Sequence, residues 1–307
     1  MRGTRINRCG VFVCSIIAVI IACSGWSRAA AGSGNVGKSL ELEVKAGIKR
    51  SLRSLRDMQK ADGSWSNQPA ITALVATAMM RSGRAEFGPL SKPVQKALSY
   101  IRGFSRADGG IYDEFYASYS TSICVMALLE ADLKRDRERI RAARRYLLDA
   151  QADESEDIHK DDPQYGGWGY EKHQSGEGMH RADMSNTQFA LSALHALEEA
   201  WREEQRMAGE AEEGELPRGP CRAETRLAYR KAIRYLKRCQ NEDGGFIYRP
   251  GESKAGKSRT GGLRSYGSMT YAGLKSMIYA RMEREDARVR AAYQWLTNNW
   301  TLKENPG

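Results

Sequence analysis

The sequence predicts an all-α chain of helical hairpins, each an amphipathic outer helix followed by a more apolar inner one, repeated about four and a half times. Two observations carry this. The spacing L-x3-Q-x3-G-x-W at Leu55, Gln59, Gly63 and Trp65 returns at Leu236, Gln240, Gly244 and Phe246, with Gly63 and Gly244 181 positions apart. A register kept over that distance marks a repeat, and a repeat names an architecture before any residue names a chemistry. The 307 residues also hold only eight prolines, and the many Ala, Leu, Arg and Glu favour helix throughout.

The first 31 residues stand apart. Arg2, Arg5 and Arg8 precede an apolar run from Val11 to Ala22, which is short for a membrane span and has the layout of an export signal. Three readings stand. Ile20-Ile21-Ala22-Cys23 resembles a bacterial lipobox, which would make Cys23 a lipidated N-terminus and a membrane tether. Ala29-Ala30-Ala31 offers a small-residue cleavage site instead, and an uncleaved anchor is the third. The first two predict an exported protein, with a leader at 1–31 and one repeat domain at 32–307. Four arginines and no acids leave with the leader, so the net charge falls from +10 to +6. That is ordinary solubility and gives no ground for a nucleic-acid partner. With 41% hydrophobic and 28% charged residues, the rest is globular, neither membrane-spanning nor low in apolar content.

The first outer helix carries Val44, Ile48, Leu52 and Leu55 on one stripe, with Lys45, Lys49, Arg50 and Arg53 between them. Later outer helices end in Tyr100-Ile101, Tyr146-Leu147, Tyr235-Leu236 and Trp295-Leu296. The turns align as Asp62-Gly63-Ser64-Trp65, Asp108-Gly109-Gly110-Ile111, Tyr165-Gly166-Gly167-Trp168 and Asp243-Gly244-Gly245-Phe246. Steps of 46, 57 and 78 residues between their glycines reflect insertions between units. The repeat positions proper are Gln59, Trp65, Gln151, Trp168, Gln240 and Phe246. Downstream of each turn comes an inner helix, such as Ile71 to Met79 or Ile123 to Leu129, with few charges. A helix apolar most of the way round is covered on both sides, so these helices form an inner layer. Arg137, Arg139, Arg141, Arg144 and Arg145 read as a solvated outer face with pairs to Asp136 and Glu138. Residues 202–220 read as a connector, and 249–264 as a Gly- and Lys-rich loop. The fifth outer helix, with Val289, Ala292, Tyr293 and Leu296 on its stripe, is followed by Asn305-Pro306-Gly307 and no inner helix. This predicts a truncated product or a partner chain completing the ring.

The L-x3-Q-x3-G-x-W motif on paired helices resembles the repeat of squalene–hopene cyclases and protein prenyltransferase β-subunits, over residues 41–307. The resemblance implies an α/α toroid, or an incomplete one, around an apolar cavity. It implies no single activity. Prenyltransferases hold zinc with Asp-x-Cys at one inner helix and a His at a later one. The matching positions here are Asp183, Ser185 and Ser268, and a serine hydroxyl is a poor zinc ligand, so no metal and no cofactor is expected. The Asp-x-Asp-Asp acid of the cyclases has no match, since Asp157, Asp161 and Asp162 lie in a polar loop. The Cys-Gly-Glu-Gln run of related thioester domains is absent as well.

Gly251 to Ser258 matches the phosphate-loop pattern G-x4-G-K-S, but neither flank supplies the strand and helix it needs. Asp153, Glu154, Glu156, Asp157, Asp161 and Asp162 with His159 match no calcium loop and read as a solvated insertion. Cys124, Cys221 and Cys239 remain beyond the leader, an odd number with no framework, and Cys124 reads as a buried thiol. The best candidates are Asp183, Ser185, Asn186 and Gln188 at the head of the third inner helix, where Asp183 or Ser185 also suits a helix cap. Tyr116, Tyr119, His180, Tyr266 and Tyr271 hold comparable inner-helix starts and would give an apolar pocket a polar, aromatic rim. The function this predicts is binding of an apolar, isoprenoid-like or extended ligand in a central cleft. The alternative is a cyclase- or prenyltransferase-type enzyme that uses Asp183 as its acid.

Overall fold

The structure, a computed structural model, describes residues 37–132, 134–171, 182–208 and 220–307, with backbone alone at 220–222. The leader with Cys23, most of the 202–220 connector, His180 and the Cys221 side chain lie outside the described residues. The chain divides into two units after Met58.

The first unit holds helix α1 (Lys38–Asp57). A side-chain ion pair at i,i+4 spacing, Lys45–Glu41, lies in its first turns. The apolar stripe read from the sequence does not produce a wholly covered face, because Leu40, Val44 and Ile48 are all exposed.

The second unit is all-helical, with only isolated bridges and no named strand among its described residues. Its inner helices are α2 (Pro69–Arg81), α4 (Ala117–Ala131), α6 (Met184–Met207) and α8 (Gly267–Tyr279); its outer helices are α3 (Lys92–Arg102), α5 (Arg137–Asp149), α7 (Pro220–Cys239) and α9 (Ala287–Asn298). Inner helices pack in succession, α2 on α4, α4 on α6 and α6 on α8, and each is backed by the outer helix that follows it. The second unit is therefore two concentric layers of α/α hairpins. The core lies between the layers, where Leu98, Ile101, Leu128, Leu147, Trp168 and Leu236 are shielded from solvent. Trp168 also donates its indole N–H to the Leu147 carbonyl at 2.7 Å. Fully burying such a ring contributes about 3 kcal/mol.

The repeat works through backbone carbonyls. Gln59 donates its amide to Gly63 and Pro93 at 3.0 and 2.9 Å. Gln151 donates to Gly166 and Ala228, both at 2.9 Å. Gln240 donates to Gly244 and Arg288 at 3.0 and 2.9 Å. One side chain thus ties its own turn to the next outer helix. In the second copy serine stands at the glutamine position, and the link reverses: Arg139 of α5 donates to Ser105 Oγ at 2.7 Å. The turn glycines keep φ near +90°, a region closed to most side chains. A β-carbon on Gly63, Gly109 or Gly244 would meet the carbonyl oxygen of Lys96, Ala142 or Ala291 at 2.5 to 2.6 Å. Each glycine therefore lets an outer helix approach.

A further element was not legible in the sequence. The backbone N–H of each large motif residue donates to a buried threonine hydroxyl early in the next inner helix. The pairs are Trp65 to Thr72, Ile111 to Thr121, Trp168 to Thr187 and Phe246 to Thr270, at 2.9 to 3.1 Å.

Several expectations are corrected. The arginine run on α5 is not uniformly solvated. Asp136 is fully buried and binds Arg102 and Arg139. Arg144 is buried too, donating to Glu224 and Thr225. The insertion 152–165 also has a folded inner side, with Asp153, Glu156 and Ile158 buried and Lys231 bound to Asp153 and Glu154. The phosphate-loop pattern, as its flanks imply, is a loop: it forms two successive turns, bridged at Arg249–Glu252 and Lys257–Leu263, and no helix begins at Lys257-Ser258. Residues 202–207 prolong α6 instead of opening a connector. On α9, Val289, Ala292 and Leu296 are covered, leaving Tyr293 exposed, because α9 packs against α8. Asn305 and Pro306 fold back onto the start of α8, where Gly267 and Ser268 donate their backbone N–H groups to Pro306 O and Asn305 Oδ1 at 2.7 and 2.8 Å. Cys124 and Cys239 are buried and free, and burial pushes both thiols up, Cys239 to about 12.

Candidate functional site

The inner helices start at one end of the layer, and three of their N-caps are predicted site residues: Tyr116 on α4, Asp183 on α6 and Tyr266 on α8. Asp183 is 1% exposed. Its Oδ1 accepts the Asn186 backbone N–H at 2.9 Å and its Oδ2 accepts the Asn186 amide at 2.7 Å. Burial raises its pKa, against the lowering effect of these bonds and of the Tyr248 side chain. Asp183 therefore caps α6, with both oxygens engaged. The Asn186 Oδ1 is buried and has no hydrogen-bond partner among the described residues.

Tyr116 occupies the left-handed region at φ +61°, a strained setting for a tyrosine. The Glu171 carboxylate holds it there, accepting the backbone N–H groups of Tyr116 and Ala117 at the head of α4. A carboxylate at a helix N-terminus gains from the free N–H groups and the dipole. Ser118 in turn donates its backbone N–H to the Tyr170 carbonyl at 2.9 Å. The segment after Trp168 is thus pinned across the start of α4, and its Tyr170 ring meets Tyr116 edge-on at 5.1 Å. Tyr119 lies 6.5 Å from Tyr170 and packs edge-on to Phe189 of α6 at 5.2 Å. Tyr248 closes the set. Burial raises its hydroxyl well above the usual range, helped by the charge of Asp183 and by contact with Tyr170. Lys254 and Arg249 stand over its ring at 4.4 and 5.7 Å.

The structure therefore joins Tyr119 to Phe189 and Asp183 to Tyr248, with Tyr170 meeting Tyr116, Tyr119 and Tyr248. Ser185 is half-buried in the first turn of α6. Gln188 is buried and donates to Ser192 Oγ at 2.8 Å. Tyr266 and Tyr271 lie on the next inner helix, the first buried and the second half-exposed. Sequence reasoning missed Tyr170, Tyr248 and Glu171. A signal was present for the tyrosines: both stand two positions beyond the large motif residue, as Trp168-Gly169-Tyr170 and Phe246-Ile247-Tyr248.

Below this aromatic mouth each inner helix keeps one narrow face partly open at helical spacing. That face holds Ile71 and Ala78 on α2, and Tyr119, Met126 and Leu129 on α4. On α6 it holds Ser185, His195 and Ala196, and on α8 Tyr271, Leu274, Lys275 and Ile278. These helices pack side by side, and their partly open positions form one lining in which Ile71, Ala78, Met126, Leu129, Leu274 and Ile278 are aliphatic and Ser185, His195 and Lys275 are polar. Among the described residues no three His, Cys, Asp or Glu side chains gather as a metal site would require.

No family model matches the chain, and no curated protein matches it. Among solved structures the chain is similar to the type II terpene cyclase MstE from Scytonema. A variant bound to the substrate geranylgeranyl dihydroxybenzoate shares 15% identity at TM-score 0.45, over 85% of this chain and 64% of that one. An apo variant of the same cyclase shares 17% at TM-score 0.46 over the same shares. A protein from Actinoplanes shares 17% at TM-score 0.37, over 84% of this chain and 81% of that one. The chain spans less than two thirds of the length of the MstE chains it matches. Its α/α arrangement is read from its own helix packing.

Proposed function

We propose that the protein binds an apolar, extended ligand of isoprenoid type along the lining of its inner helices, entering between Tyr116, Tyr119, Tyr170 and Tyr248. The observation that carries this reading is the continuity of half-exposed aromatic rings at the mouth with aliphatic side chains below it. Exposed rings gathered in one place, beside fully packed layers, mark a binding surface more than scattered apolar residues do. The hydroxyls of the tyrosines orient a ligand, and the rings supply contact area at low entropic cost. Retinol, a neutral fluorescent isoprenoid alcohol, tests the reading by energy transfer from tryptophan. Saturable binding to the wild type should weaken about tenfold or more in Tyr119→Ala, and in Ala78→Trp, which fills the lining. Absence of saturable binding, or affinity unchanged in both variants, overturns it.

One observation favours a second reading, an isoprenoid-cyclising or isoprenoid-transferring enzyme: the Asp183 carboxyl has a pKa raised by burial, the property a general acid needs. Its engagement as a helix cap weighs against it. Incubation with polyprenyl substrates should give product that Asp183→Asn abolishes if this reading holds, and none if it does not.

The basic, apolar leader supports export, with attachment through Cys23 as one route. Incorporation of labelled fatty acid that Cys23→Ala removes would establish lipidation, and a mature N-terminus near Ala31 would exclude it.

A further inference from the structure

At the C-terminal ends of the inner helices, away from the aromatic mouth, most charged groups are paired. Arg81 of α2 binds Glu130 of α4 at 2.7 Å. Arg281, just past α8, binds Glu198 and Glu199 of α6 at 3.0 and 2.7 Å, and Arg202 binds Glu199 at 2.8 Å. Lys275 differs. It sits on the open face of α8 with its ammonium 5.3 Å over the Tyr279 ring, and it has no acidic partner among the described residues. The Tyr279 ring is itself stacked on His195 of α6, with centroids 4.4 Å apart and planes 12° from parallel. The His195 Nδ1 is buried and unpartnered among the described residues. Two unfilled polar positions thus lie against one aromatic ring, beside the aliphatic residues Leu274 and Ile278 of the lining.

A half-buried ammonium without a counter-ion is costly. Desolvation, joined by the charge of Arg81, pulls the Lys275 amine down to about 8. It remains mostly protonated at neutral pH, so the cost persists in the free protein. A ring below the ammonium softens the cost without cancelling it. What removes the cost is an anion, and the aliphatic residues beside Lys275 on the open face of α8, Leu274 and Ile278, with Met126 and Leu129 on the open face of α4, suit an apolar chain carrying that anion.

We propose that Lys275 binds the carboxylate of an amphipathic ligand whose apolar body lies along the inner-helix lining, so that the ligand is an acid of isoprenoid or fatty type. The inference rests on the apolar-ligand reading above and deepens it. Retinoic acid and retinol share one polyene and differ in the head group, which separates the two claims. Wild-type protein should bind retinoic acid about tenfold or more tighter than retinol. Lys275→Met and Lys275→Gln should erase that preference, and Lys275→Arg should keep it. Circular dichroism and melting of each variant establish that it is folded; loss of an unpaired buried cation should leave Tm equal or higher. Equal affinity of the wild type for the two ligands, or a preference that survives in Lys275→Met and Lys275→Gln, overturns the role of Lys275 while leaving the apolar-ligand reading intact. Failure of both ligands to bind overturns both.

Discussion

A β-carbon placed on Gly166 would stand 2.0 Å from the carbonyl oxygen of Lys231, the tightest glycine contact at any of the four repeat turns. Gly166 also holds φ +90°. Gly166→Ala therefore combines a left-handed backbone with a clash against main chain that cannot step aside. The expected cost is about 3 kcal/mol or more, read as a fall in the urea midpoint. Gly83→Ala is the control. Its φ is also positive, at +66°, but nothing stands within 4 Å of the added carbon, so it should cost only about 1 kcal/mol.

The glutamine links should differ with burial. Gln151 is buried and ties α7 to its turn, whereas Gln240 is part exposed. Gln151→Ala removes two buried hydrogen bonds, to the carbonyls of Gly166 and Ala228, an expected loss of about 2 to 3 kcal/mol. Gln240→Ala should cost about 1 kcal/mol, since water reaches its partners. Equal losses in the two variants would show that the linkage is not governed by burial.

Thr187 should behave as a structural hydroxyl. Thr187→Val keeps shape but strands the buried Trp168 N–H, with an expected cost of about 1 to 3 kcal/mol. Thr187→Ser should recover most of it. Thermal melts of the two variants decide the point, and a stable valine variant would contradict the role.

The Lys231 ammonium, hydrogen-bonding to Glu154, holds that carboxyl at about 2, below its ordinary 4.5. A carboxyl held low in the folded state stabilises it at pH above the ordinary value, and the benefit is lost as pH falls toward 2. Wild type should therefore exceed Glu154→Gln in stability at pH 6, and the gap should close between about pH 4.5 and 2. Because Glu154 is nearly half exposed, the gap should be small and should shrink in salt. A gap constant across that range would assign the effect to something other than this pair.

How much of this was legible in the sequence follows from the spacing of the residues that do the work. The helix pairs were readable because apolar stripes and the Gln–Gly–Trp register recur locally. The threonine links were hidden because the distance from turn glycine to threonine runs 9, 12, 21 and 26 residues, so no fixed offset reveals them. Arg139 could not be seen replacing the missing glutamine, since the compensation comes from another helix. Asp136 looked solvated in its charged surroundings, yet it is buried because Arg102 reaches it from α3. At the site, Tyr116, Tyr119, Asp183 and Asn186 were named from their helix starts. Tyr170, Tyr248 and Glu171 were not, because they belong to loops that fold across those starts, and loop paths carry little periodicity. Lys275 was unreadable for a related reason: lacking a partner is a property of the surroundings, not of the sequence near it.

The central claim is that a ligand lies along the inner-helix lining. A photoreactive benzophenone group carried on a farnesol chain, irradiated with the wild-type protein and mapped by peptide mass spectrometry, tests this most directly. The account predicts adducts on Tyr119, Met126, Leu274 and Ile278, suppressed by excess retinol and absent in Ala78→Trp. Adducts confined to the outer helices, or labelling that excess retinol leaves unchanged, would contradict it.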